Sequence, residues 1–426
     1  MQVIIVGGGI GGLSLALSLH AANINEVEIY ESVPILKELG VGINLLPHAV
    51  RELCEMDLGR ELEEEAIPTS ELALFSRHGQ PIWTEPRGYE AGYRWPQYSI
   101  SRGRLLGLLY NAVVHRLGSD RLHLGHHLKQ IVSHNRKVES EFINRHSGIF
   151  KVKAHSDVLV GADGIHSTVR RCLYPHEGPP QWNGITIWRG VAESSPFLSG
   201  RTMVMAGYMG CRVVAYPISR RHERHGRALI NWVAEYKTCD QGSMPPQDWN
   251  HLVKIDELNK PFSNFTYDWL DFQSLFKDSN AIFKYPMCDR EPLPSWSKGP
   301  GWDGNGVTLL GDAAHPMYPV GSNGASQAIL DSRVLARELA MSSNVDKALD
   351  DYERKRREAT SEIVLANRRA GPEQCMDIVQ SRAPDGFDRI ENIICSQELK
   401  DLSDNYKRLA GFDVDQLNYR PSLSVS

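Results

Sequence analysis

A glycine-rich turn near the start of the sequence constrains the fold more than any other feature. The segment VGGGIGGLSLALSLHAANINEVEIYE covers residues 6–31. The apolar run 3–6 is typical of a short buried strand, and the aliphatic stretch 13–22 predicts a helix. A second strand pattern follows at 27–31 and ends in an acid. This order and spacing predict a βαβ dinucleotide-binding unit.

Each residue type in this unit has a physical task. Gly7 permits a tight turn, Gly9 lets the backbone approach a pyrophosphate, and Gly12 lets the helix pack closely on the strand. The helix N-terminus offers free N–H groups and the positive end of its dipole to the phosphates. Glu31, 22 residues after Gly9, is placed to bind ribose hydroxyls. These residues predict a cofactor with an ADP half and do not distinguish NAD from FAD.

The same stretch does not fit a secretion signal or a membrane anchor. A signal peptide needs a basic start and an unbroken apolar core, whereas no basic residue precedes Lys37 and five glycines interrupt the run. A spanning helix needs about 20 predominantly apolar residues, and the glycines within 7–12 break the stretch.

The composition is that of an ordinary soluble enzyme. With 426 residues, 41% of them hydrophobic, the chain is expected to form two domains or one domain with insertions. A formal charge of −5 gives no overall attraction to nucleic acid or anionic membranes. The seven cysteines lack CxxC spacing, which favours a reducing, cytoplasmic location without a metal site or a disulfide framework.

Two later segments repeat the pattern of a buried strand, a small-residue turn and a helix. They are DVLVGADGIHSTVRRCLYP at 157–175 and GVTLLGDAAHPMYPVGSNGASQAILDS at 306–332. The strands are expected at 158–160 and 307–310, and an aspartate follows each of them. Both turns are therefore candidates for contact with the same nucleotide.

With these three ordered motifs, the chain resembles the single-component FAD-dependent aromatic hydroxylases, flavoprotein monooxygenases of the para-hydroxybenzoate and salicylate hydroxylase type. The resemblance covers nearly the whole sequence. The family's ADP fingerprint, DGxxSxVR motif and GDAAHP motif are matched by Gly7, Gly9, Gly12, Glu31, Asp163, Gly164, Ser167, Arg170, Gly311, Asp312, His315 and Pro316. The strings MYPVGSNGASQAILD, AYPIS, INWV and SRAPDGFDRIENII are similar to a subgroup of phenazine-tailoring flavin hydroxylases.

The resemblance implies which residues contact the cofactor. In the family the DGxxSxVR motif touches FAD and helps to handle the nicotinamide cofactor, and the GDAAHP aspartate, here Asp312, binds the ribityl chain. Arg102 matches an FAD-contacting arginine ahead of a helix. A helix beginning near 323–325 would aim its N–H groups at the negative charge of the reduced flavin. The further cofactor-binding candidates are Ile43, Leu128, Pro319, Gly321, Asn323, Gly324 and Ala325.

The resemblance also implies the reaction. NAD(P)H reduces FAD, O2 forms a C4a-hydroperoxyflavin, and one oxygen atom hydroxylates an activated aromatic or heteroaromatic ring, with or without loss of a carboxylate. No second GxGxxG turn lies between a strand and a helix pattern, so NADH or NADPH is expected to bind transiently over the FAD surface. The implied partners are a small aromatic substrate and O2, without nucleic acid, for a monomer or homodimer.

The motif order predicts the domain organisation. The FAD-binding elements fall at 1–75, 98–180 and 285–370. The expected fold class is α/β, a discontinuous Rossmann-type FAD-binding domain with an inserted, mainly β-sheet substrate domain at 181–284, joined by 76–97. Residues 371–426 are expected to form a helical C-terminal segment, and the substrate to bind between the domains.

Three residues are candidates for catalytic contact with the substrate. A phenol or carboxylate needs a cation and a hydrogen-bonding group near the ring, and Arg189 and Tyr216 lie on predicted strands of the insertion. Side-chain alternation leaves open whether either faces the site, the solvent or the core. His48 departs from the Pro-Asn pair common in the family at this loop and fits a substrate contact, a proton contact or a solvent-facing position. Ile43 and Leu46 are expected to line the ring from the same loop.

Several of these residues also fit structural roles. Asp163 and Gly164 form a common turn dipeptide, Asp312 alone fits a helix cap, and His315 fits a structural histidine as well as a cofactor contact. The basic run 219–227 lies between two strand patterns without aromatics that could stack on bases, which favours a solvated hairpin loop.

The alternative functions come from other classes. An FAD-dependent dehydrogenase or oxidase without oxygen insertion has the same cofactor motifs. A halogenase would show a WxWxIP signature, which the sequence lacks. A redox-idle interaction module would need protein-binding repeats or tails, and we find none in the sequence.

Asp312 provides a first test of the cofactor prediction. Replacing Asp312 with Ala should weaken FAD retention, because the variant loses the carboxylate expected to bind the ribityl hydroxyls. Flavin content after gel filtration measures this loss. Full flavin occupancy together with unchanged turnover would contradict the role assigned to Asp312.

Overall fold

The computed structural model describes residues 1–36, 41–134, 137–238, 244, 248, 251–302 and 304–425, and the statements below concern these residues. The strands are β1 Val3–Val6, β2 Val27–Glu31, β3 Gly42–Leu45, β4 Ile67–Thr69, β5 Glu71–Phe75, β6 Pro81–Pro86, β7 Gln97–Ser101, β8 Leu122–Leu124, β9 His127–His134, β10 Lys137–Ile143, β11 Phe150–Ser156, β12 Val158–Gly161, β13 Gln181–Ser194, β14 Thr202–Tyr208, β15 Cys211–Pro217, β16 Ala228–Lys237, β17 Leu252–Val253, β18 Thr266–Tyr267, β19 Leu270–Asp271, β20 Ile282–Asp289 and β21 Val307–Leu309. The α-helices are α1 Ile10–Ala21, α2 Pro47–Cys54, α3 Gly59–Glu65, α4 Arg102–Leu117, α5 Thr168–Leu173, α6 Arg220–Arg224, α7 Asp256–Asn259, α8 Phe272–Lys277, α9 Gly324–Met341, α10 Val345–Asn367, α11 Gln374–Arg382, α12 Ser396–Leu409 and α13 Val414–Tyr419.

The glycine turn follows a central strand of a five-stranded parallel sheet with the order β21-β12-β1-β2-β8. Every residue of β1 and β12 is buried, as expected of parallel strands that are covered on both faces. Val3 pairs with Val27 on one side and with Val158 on the other. The predicted βαβ unit and the two later strand-and-turn segments are therefore confirmed.

An eight-stranded sheet forms the second layer, with the order β17-β20-β13-β16-β15-β14-β5-β6. Arg189 lies on β13 and Tyr216 on β15, and β15 and β16 stand on either side of the basic run 219–227, so strands are present where the sequence predicted them. Neighbouring strands are antiparallel, except for β14 and β5, which run parallel. The inserted domain is thus mainly a β-sheet, as predicted.

The two faces of this sheet pack against different partners, because alternate residues of a strand point to opposite sides. One face joins an aromatic cluster that includes Trp188, Trp232, Phe262, Phe272 and Phe276. The opposite face carries Leu72, Met203, Met205, Val214 and Tyr216, which pack with Met376, Val379 and Leu399 of the C-terminal helices. The C-terminal segment therefore covers the face of the sheet that does not hold the aromatic cluster.

The C-terminal segment is helical, as predicted, and it also reaches back to the FAD-binding domain. The Arg420 guanidinium pairs with the buried carboxylate of Glu52 on α2. The Ser422 hydroxyl donates to Glu55 at 2.6 Å, and Arg333 of α9 donates to the Ser424 hydroxyl at 2.8 Å. These contacts fix the segment to both domains.

Sheet membership moves two of the predicted domain boundaries. Strand β5 and the second half of β20 belong to the eight-stranded sheet, whereas the sequence prediction placed 71–75 and 285–289 in the FAD-binding domain. The reason is that β5 pairs with β14, more than a hundred residues later, and no local pattern reveals such a partner.

The basic run 219–227 connects β15 and β16, as predicted, and it contains the short helix α6. Arg220 pairs with Glu223 and Arg227 pairs with Glu193. In the described part of the chain, no helix is long and apolar enough to cross a membrane.

Candidate active site

Three loops meet at the carboxyl edge of the parallel sheet, where doubly wound folds bind their ligands. They follow β1, β12 and β21 and contain Gly7, Asp163 and Asp312. A methyl group on Gly7, which has φ +112°, would lie 2.4 Å from the Ala162 carbonyl oxygen. The first two loops are therefore in direct contact, and the structure brings the three predicted motifs together.

The glycine loop is tight on its protein side and open on the other. A methyl group on Gly12 would lie 2.0 Å from the Gly7 carbonyl oxygen, whereas one on Gly9 would meet no atom of the described residues within 4 Å. Gly9 stands directly before α1, so the open space faces the helix N-terminus. An anion such as a pyrophosphate fits this position, because the first N–H groups of a helix have no partner within the helix.

Glu31 braces the glycine loop. Its carboxylate accepts hydrogen bonds from the Gly8 N–H at 2.7 Å and the Val33 N–H at 2.8 Å. The Ser32 hydroxyl donates a third bond at 3.0 Å. A carboxylate has about four acceptor positions, so one remains for the ribose contact that the sequence predicts.

Two of the residues predicted to bind the cofactor, Leu128 and Ile43, lie in different surroundings. Leu128 is 1% exposed on β9 and belongs to the hydrophobic core, paired with Phe142. Ile43 is half-buried on β3, and the N–H of the preceding Gly42 donates to Asn231 of the eight-stranded sheet at 2.6 Å. Strand β3 therefore lies where the two domains meet, whereas Leu128 supports the sheet from the core.

The DGxxSxVR motif builds the start of α5. The Asp163 carboxylate accepts from the Thr168 N–H at 2.6 Å and from the Ser167 hydroxyl. Ser167 in turn accepts from the Arg170 N–H at 2.9 Å as the N-cap of the helix. Gly164 has φ +76° and open space beside it. Asp163 therefore has the turn role that the sequence left open, with Gly164 free to approach a ligand.

Arg170 holds the neighbouring loop in place. Its guanidinium donates to the Glu177 carboxylate and to the carbonyl oxygens of Ala313, Ala314 and Glu291. These five bonds use all five of its N–H donors, and the residue is 1% exposed. This differs from the predicted direct contact with the cofactor. Arg170 would influence cofactor binding by positioning the loop that contains Ala313 and Ala314.

Asp312 lies where the three loops meet at the carboxyl edge of the parallel sheet, called the cofactor cleft below, and its side chain is exposed to solvent. Nearby protein atoms reduce the hydration of the carboxyl and raise its pKa, and the charges of His315 and Arg102 oppose the shift. The half-buried Arg102, at the first turn of α4, has a lowered pKa because of burial and the nearby Arg189. Asp312 and Arg102 therefore provide one carboxylate and one guanidinium at this cleft.

Behind this cleft, His315 has a structural partner. Its Nε2 lies 2.6 Å from the Asp331 carboxylate, which also accepts from Arg356 at 2.7 Å and from the Gly311 N–H at 3.1 Å. Although burial alone would raise it, His315 and Arg356 lower the pKa of Asp331 to about 2. This buried cluster fixes the turn that carries Asp312.

The loop before α9 has a strained backbone. Gly321 and Ser322 have φ of +67° and +54°, and a methyl group on Gly321 would lie 2.3 Å from the Tyr406 hydroxyl oxygen. Left-handed backbone in a non-glycine residue such as Ser322 costs energy and is common at functional sites. The exposed Pro319 precedes this loop, and the buried Asn323 caps α9, which begins with Gly324 and Ala325 as predicted.

A buried ion cluster fixes this loop to the sheet. Glu373 accepts from the Gly321 N–H at 3.1 Å and from the Arg212 guanidinium. Arg212, on β15, also donates to Glu235 on β16 at 2.7 Å. The cluster thus joins the eight-stranded sheet, the loop before α9 and the start of the C-terminal helices.

Arg189 and Tyr216 both lie on the sheet face that is turned away from the aromatic cluster. The Arg189 guanidinium lies over the Tyr285 ring, 4.6 Å from its centroid. Its positive charge acts to lower the pKa of both Arg102 and Tyr216. Burial raises the pKa of Tyr216 above its usual range, with a further contribution from Tyr285. This face therefore extends from the cofactor cleft toward the C-terminal helices.

A cavity adjoins the loop before α9, between this sheet face and the C-terminal helices. Its free volume is about 20 Å³, which is room for little more than one water molecule. Its apolar wall includes Leu46, Leu72, Met203, Met205 and Phe412, and Gly321 and Ser322 form the side near α9. Polar groups of Arg87, Gln97, Tyr406 and Lys407 complete it.

The predicted catalytic residues do not line this cavity. Among its described lining residues, Leu46 was predicted to face the ring, while Arg189, Tyr216 and His48 are absent. The sequence reasoning missed the two methionines and the C-terminal residues. The alternation of β14 could have drawn attention to Met203 and Met205, but no signal in the sequence relates residues 403–412 to them.

His48 is fully buried, and in the described part of the chain neither ring nitrogen has a hydrogen-bond partner. Its ring stacks on Phe412, with 5.3 Å between the centroids. Burial lowers the pKa of His48 to about 3, and the charges of Arg420 and Arg356 add to the effect. His48 is therefore a neutral side chain behind the cavity wall, and the solvent-facing position that the sequence allowed is wrong.

Comparison with known proteins identifies relatives along most of the chain. A family described as "FAD binding domain" matches residues 1–188 and 301–367. The chain is 42% identical over 368 residues to phenazine 1,6-dicarboxylic acid hydroxylase PhzS of Lysobacter antibioticus, covering 86% of this chain and 89% of that protein. It is 31% identical to 3-hydroxybenzoate 6-hydroxylase 1 of Aquipseudomonas alcaligenes, covering 87% and 88%.

Solved structures share the fold. A salicylate hydroxylase substrate complex superposes with a TM-score of 0.73 at 22% identity, covering 99% of both chains. Klebsiella pneumoniae HpxO, complexed with FAD and uric acid, gives a TM-score of 0.70 at 23% identity, covering 96% of this chain and 92% of that one.

The glycine loop allows a test that separates folding from cofactor binding. Gly12→Ala should destabilise the apoprotein by about 3 kcal/mol or more, because the methyl group overlaps the Gly7 carbonyl. Gly9→Ala should change stability by less than about 0.5 kcal/mol and weaken FAD binding, because its methyl group projects into the open space. Urea unfolding of the apoprotein and flavin fluorescence titration measure the two effects. Wild-type FAD affinity in Gly9→Ala would contradict this placement of the cofactor.

His48 predicts how stability depends on pH. In the unfolded chain its pKa is near 6.5, whereas in the folded protein it is about 3. Below pH 6.5 the unfolded state therefore binds one more proton, and stability falls by about 1.4 kcal/mol for each pH unit down to pH 3.

His48→Leu should remove that part of the slope, and urea unfolding at several pH values between 7.5 and 4.5 measures it. The exposed His146 provides a control, since His146→Leu should leave the slope unchanged. Equal slopes for the wild type and His48→Leu would mean that the buried ring has a partner for its proton.

Proposed function

This chain belongs to the FAD binding domain family and is an FAD-dependent aromatic monooxygenase that uses NADH or NADPH and O2. On that basis we propose that it hydroxylates a flat, fused-ring aromatic carboxylate of the phenazine class. The predicted family and type of reaction are confirmed. The observation that carries the substrate proposal is the lining of the cavity beside the loop before α9, where apolar side chains stand next to the basic groups of Arg87 and Lys407. The 42% identity to a phenazine 1,6-dicarboxylic acid hydroxylase supports the same class.

The residues present fit FAD. Gly7, Gly9 and Gly12 would hold the pyrophosphate against α1, and Glu31 would hold the adenosine ribose. Asp312 and Arg102 would hold the middle of the cofactor, because they place a hydrogen-bond acceptor and a charged donor at the cofactor cleft. When bound, FAD takes electrons from the nicotinamide cofactor and activates O2 for transfer of one oxygen atom to the ring.

The start of α9 would stabilise negative charge on the reduced cofactor. Gly324 and Ala325 are half-buried and begin an 18-residue helix, so their N–H groups and the positive dipole end point out of the loop. Gly321 and Ser322, which have left-handed backbone, place that loop in the wall of the cavity. We assign the fixed orientation of these N–H groups to the hydrogen bond between Gly321 and Glu373.

The apolar walls would exclude water and hold the substrate ring. Met203, Met205 and Leu72 offer one surface, and Phe412 and Leu46 offer others. Exclusion of water favours oxygen transfer to the ring over loss of reducing equivalents as hydrogen peroxide.

The three predicted catalytic residues have more limited roles in this proposal. Arg189 places positive charge between the cofactor cleft and the cavity, where it favours an anionic ligand. Tyr216 stays protonated at working pH, because burial raises its pKa, and can donate a hydrogen bond. His48 positions Phe412 by stacking.

The cytoplasmic location stays a prediction. The sequence left open both the choice between NADH and NADPH and the choice between a monomer and a homodimer. Loss of a carboxylate during hydroxylation is proposed only for a substrate that carries the carboxylate on the reacting carbon.

The test is oxygen incorporation by the FAD-loaded protein. Phenazine carboxylates should accelerate O2-dependent oxidation of NADH or NADPH, and mass spectrometry should find one ¹⁸O atom from ¹⁸O2 in the product. Hydroxybenzoates, aminobenzoates, nicotinates and quinolones provide the comparison. Incorporation with one of these classes alone would overturn the substrate proposal, and oxidation of a phenazine without ¹⁸O would contradict oxygen insertion.

A further inference from the structure

One end of the cavity carries polar groups that lack partners. Gln97, at the start of β7, is 3% exposed, and its Oε1 has no hydrogen-bond partner in the described part of the chain. The buried Nε of Arg87 is likewise without one. A buried polar group without a hydrogen bond costs about 1–3 kcal/mol. Two such groups in one cavity wall point to a polar ligand that would satisfy them.

The charges at this end favour an anion. The carboxylate of Glu85 lies between two cations, Arg87 at 2.8 Å and Lys407, and the Ser403 hydroxyl also donates to it. Although burial opposes the shift, Arg87 and Lys407 lower the pKa of Glu85. Two half-buried cations therefore share one buried carboxylate.

Two other acids near this group do not cancel the excess charge. Asp404 lies 3.6 Å from the Lys407 ammonium, but its side chain is 40% exposed, so water screens it. Glu373 also lines the cavity, but its carboxylate is already bound by Arg212 and by the Gly321 N–H.

The donors present match a carboxylate. The Nε–H of Arg87 is a charged donor, and the side-chain amide of Gln97 can turn either its NH2 group or its oxygen toward a ligand. Hydrogen bonds between an arginine and a carboxylate are among the strong ones in proteins. The ring of the ligand would lie against the apolar walls beside these groups, and the walls must move apart to admit it.

We infer that Arg87 and Gln97, supported by Lys407 through Glu85, form the subsite that binds a carboxylate of the substrate and so determine specificity for ring acids. The inference rests on the proposed function, because the ring of that substrate occupies the rest of the cavity. The subsite and the loop at Gly321 are different parts of the cavity wall, so binding the carboxylate orients the ring with respect to the cofactor. Arg87 and Gln97 would thus decide which ring carbon is hydroxylated.

The test compares an acid with its amide in the FAD-loaded protein. Isothermal titration calorimetry measures Kd for phenazine-1-carboxylate and for phenazine-1-carboxamide, two probes with the same ring. Arg87→Met should raise Kd for the acid by about 10-fold to 100-fold, the range for a lost charged hydrogen bond, and change Kd for the amide much less. The steady-state KM values should follow the same pattern, with a larger share of hydroxylation at other carbons.

A second variant and a control keep the test independent of folding. Gln97→Leu removes a side chain that makes no hydrogen bond to the described residues, so it should fold normally and raise Kd for the acid by about 10-fold. Arg60→Met changes an arginine on α3 whose side chain is 88% exposed, and it should leave both Kd values unchanged. Flavin content and melting temperature verify that each variant is intact.

The outcomes distinguish the two proposals. Suppose that the wild type binds and hydroxylates the acid. If both variants then weaken binding of the acid and of the amide equally, or change neither Kd, the subsite is wrong and the proposed function stands. If the wild type neither binds nor hydroxylates any phenazine acid, the substrate class is wrong and the subsite fails with it. Selective loss of acid binding in both variants supports the inference.

Discussion

The buried guanidinium of Arg212 is the interaction on which the site depends most. It lies between Glu235 of its own sheet and Glu373 at the start of the C-terminal helices, and Glu373 also binds the Gly321 N–H. Removing one partner of a buried charge cluster typically costs about 3–5 kcal/mol, because the remaining charge has no compensation. The sheet, the loop before α9 and the C-terminal segment are therefore held in one fixed arrangement.

Most charged side chains in the motifs that identify the family bind neighbouring groups of the protein. Glu31 binds the backbone of the glycine loop, Asp163 accepts from the Thr168 N–H in the first turn of α5, and Arg170 uses all its donors on neighbouring groups. This leaves backbone N–H groups and the few free side chains, such as Asp312 and Arg102, to face the cleft. Substitutions in these motifs would weaken cofactor binding through displaced loops as well as through lost contacts.

The sequence predicted the local parts of the fold well and the long-range contacts poorly. Strand, turn and helix at residues 3–31 are visible because strong periodicity and glycine spacing act over a few residues. The pairing of β5 with β14 and the contact of Phe412 with His48 join distant segments, and no periodicity in one segment reveals the other. The cofactor cleft could therefore be predicted, whereas the cavity wall needed the structure.

The alternation of β14 gives the inserted sheet two independent sets of positions. Met203 and Met205 face the cavity, while Val204 and Ala206 of the same strand pack in the aromatic cluster. Because neighbouring residues point to opposite faces, the cavity can change shape through the first pair without disturbing the second. Substitutions at Met203 or Met205 can therefore change which ring the cavity accepts, while Val204 and Ala206 keep the aromatic cluster packed. New ring specificities can arise here by single substitutions that leave the aromatic core intact.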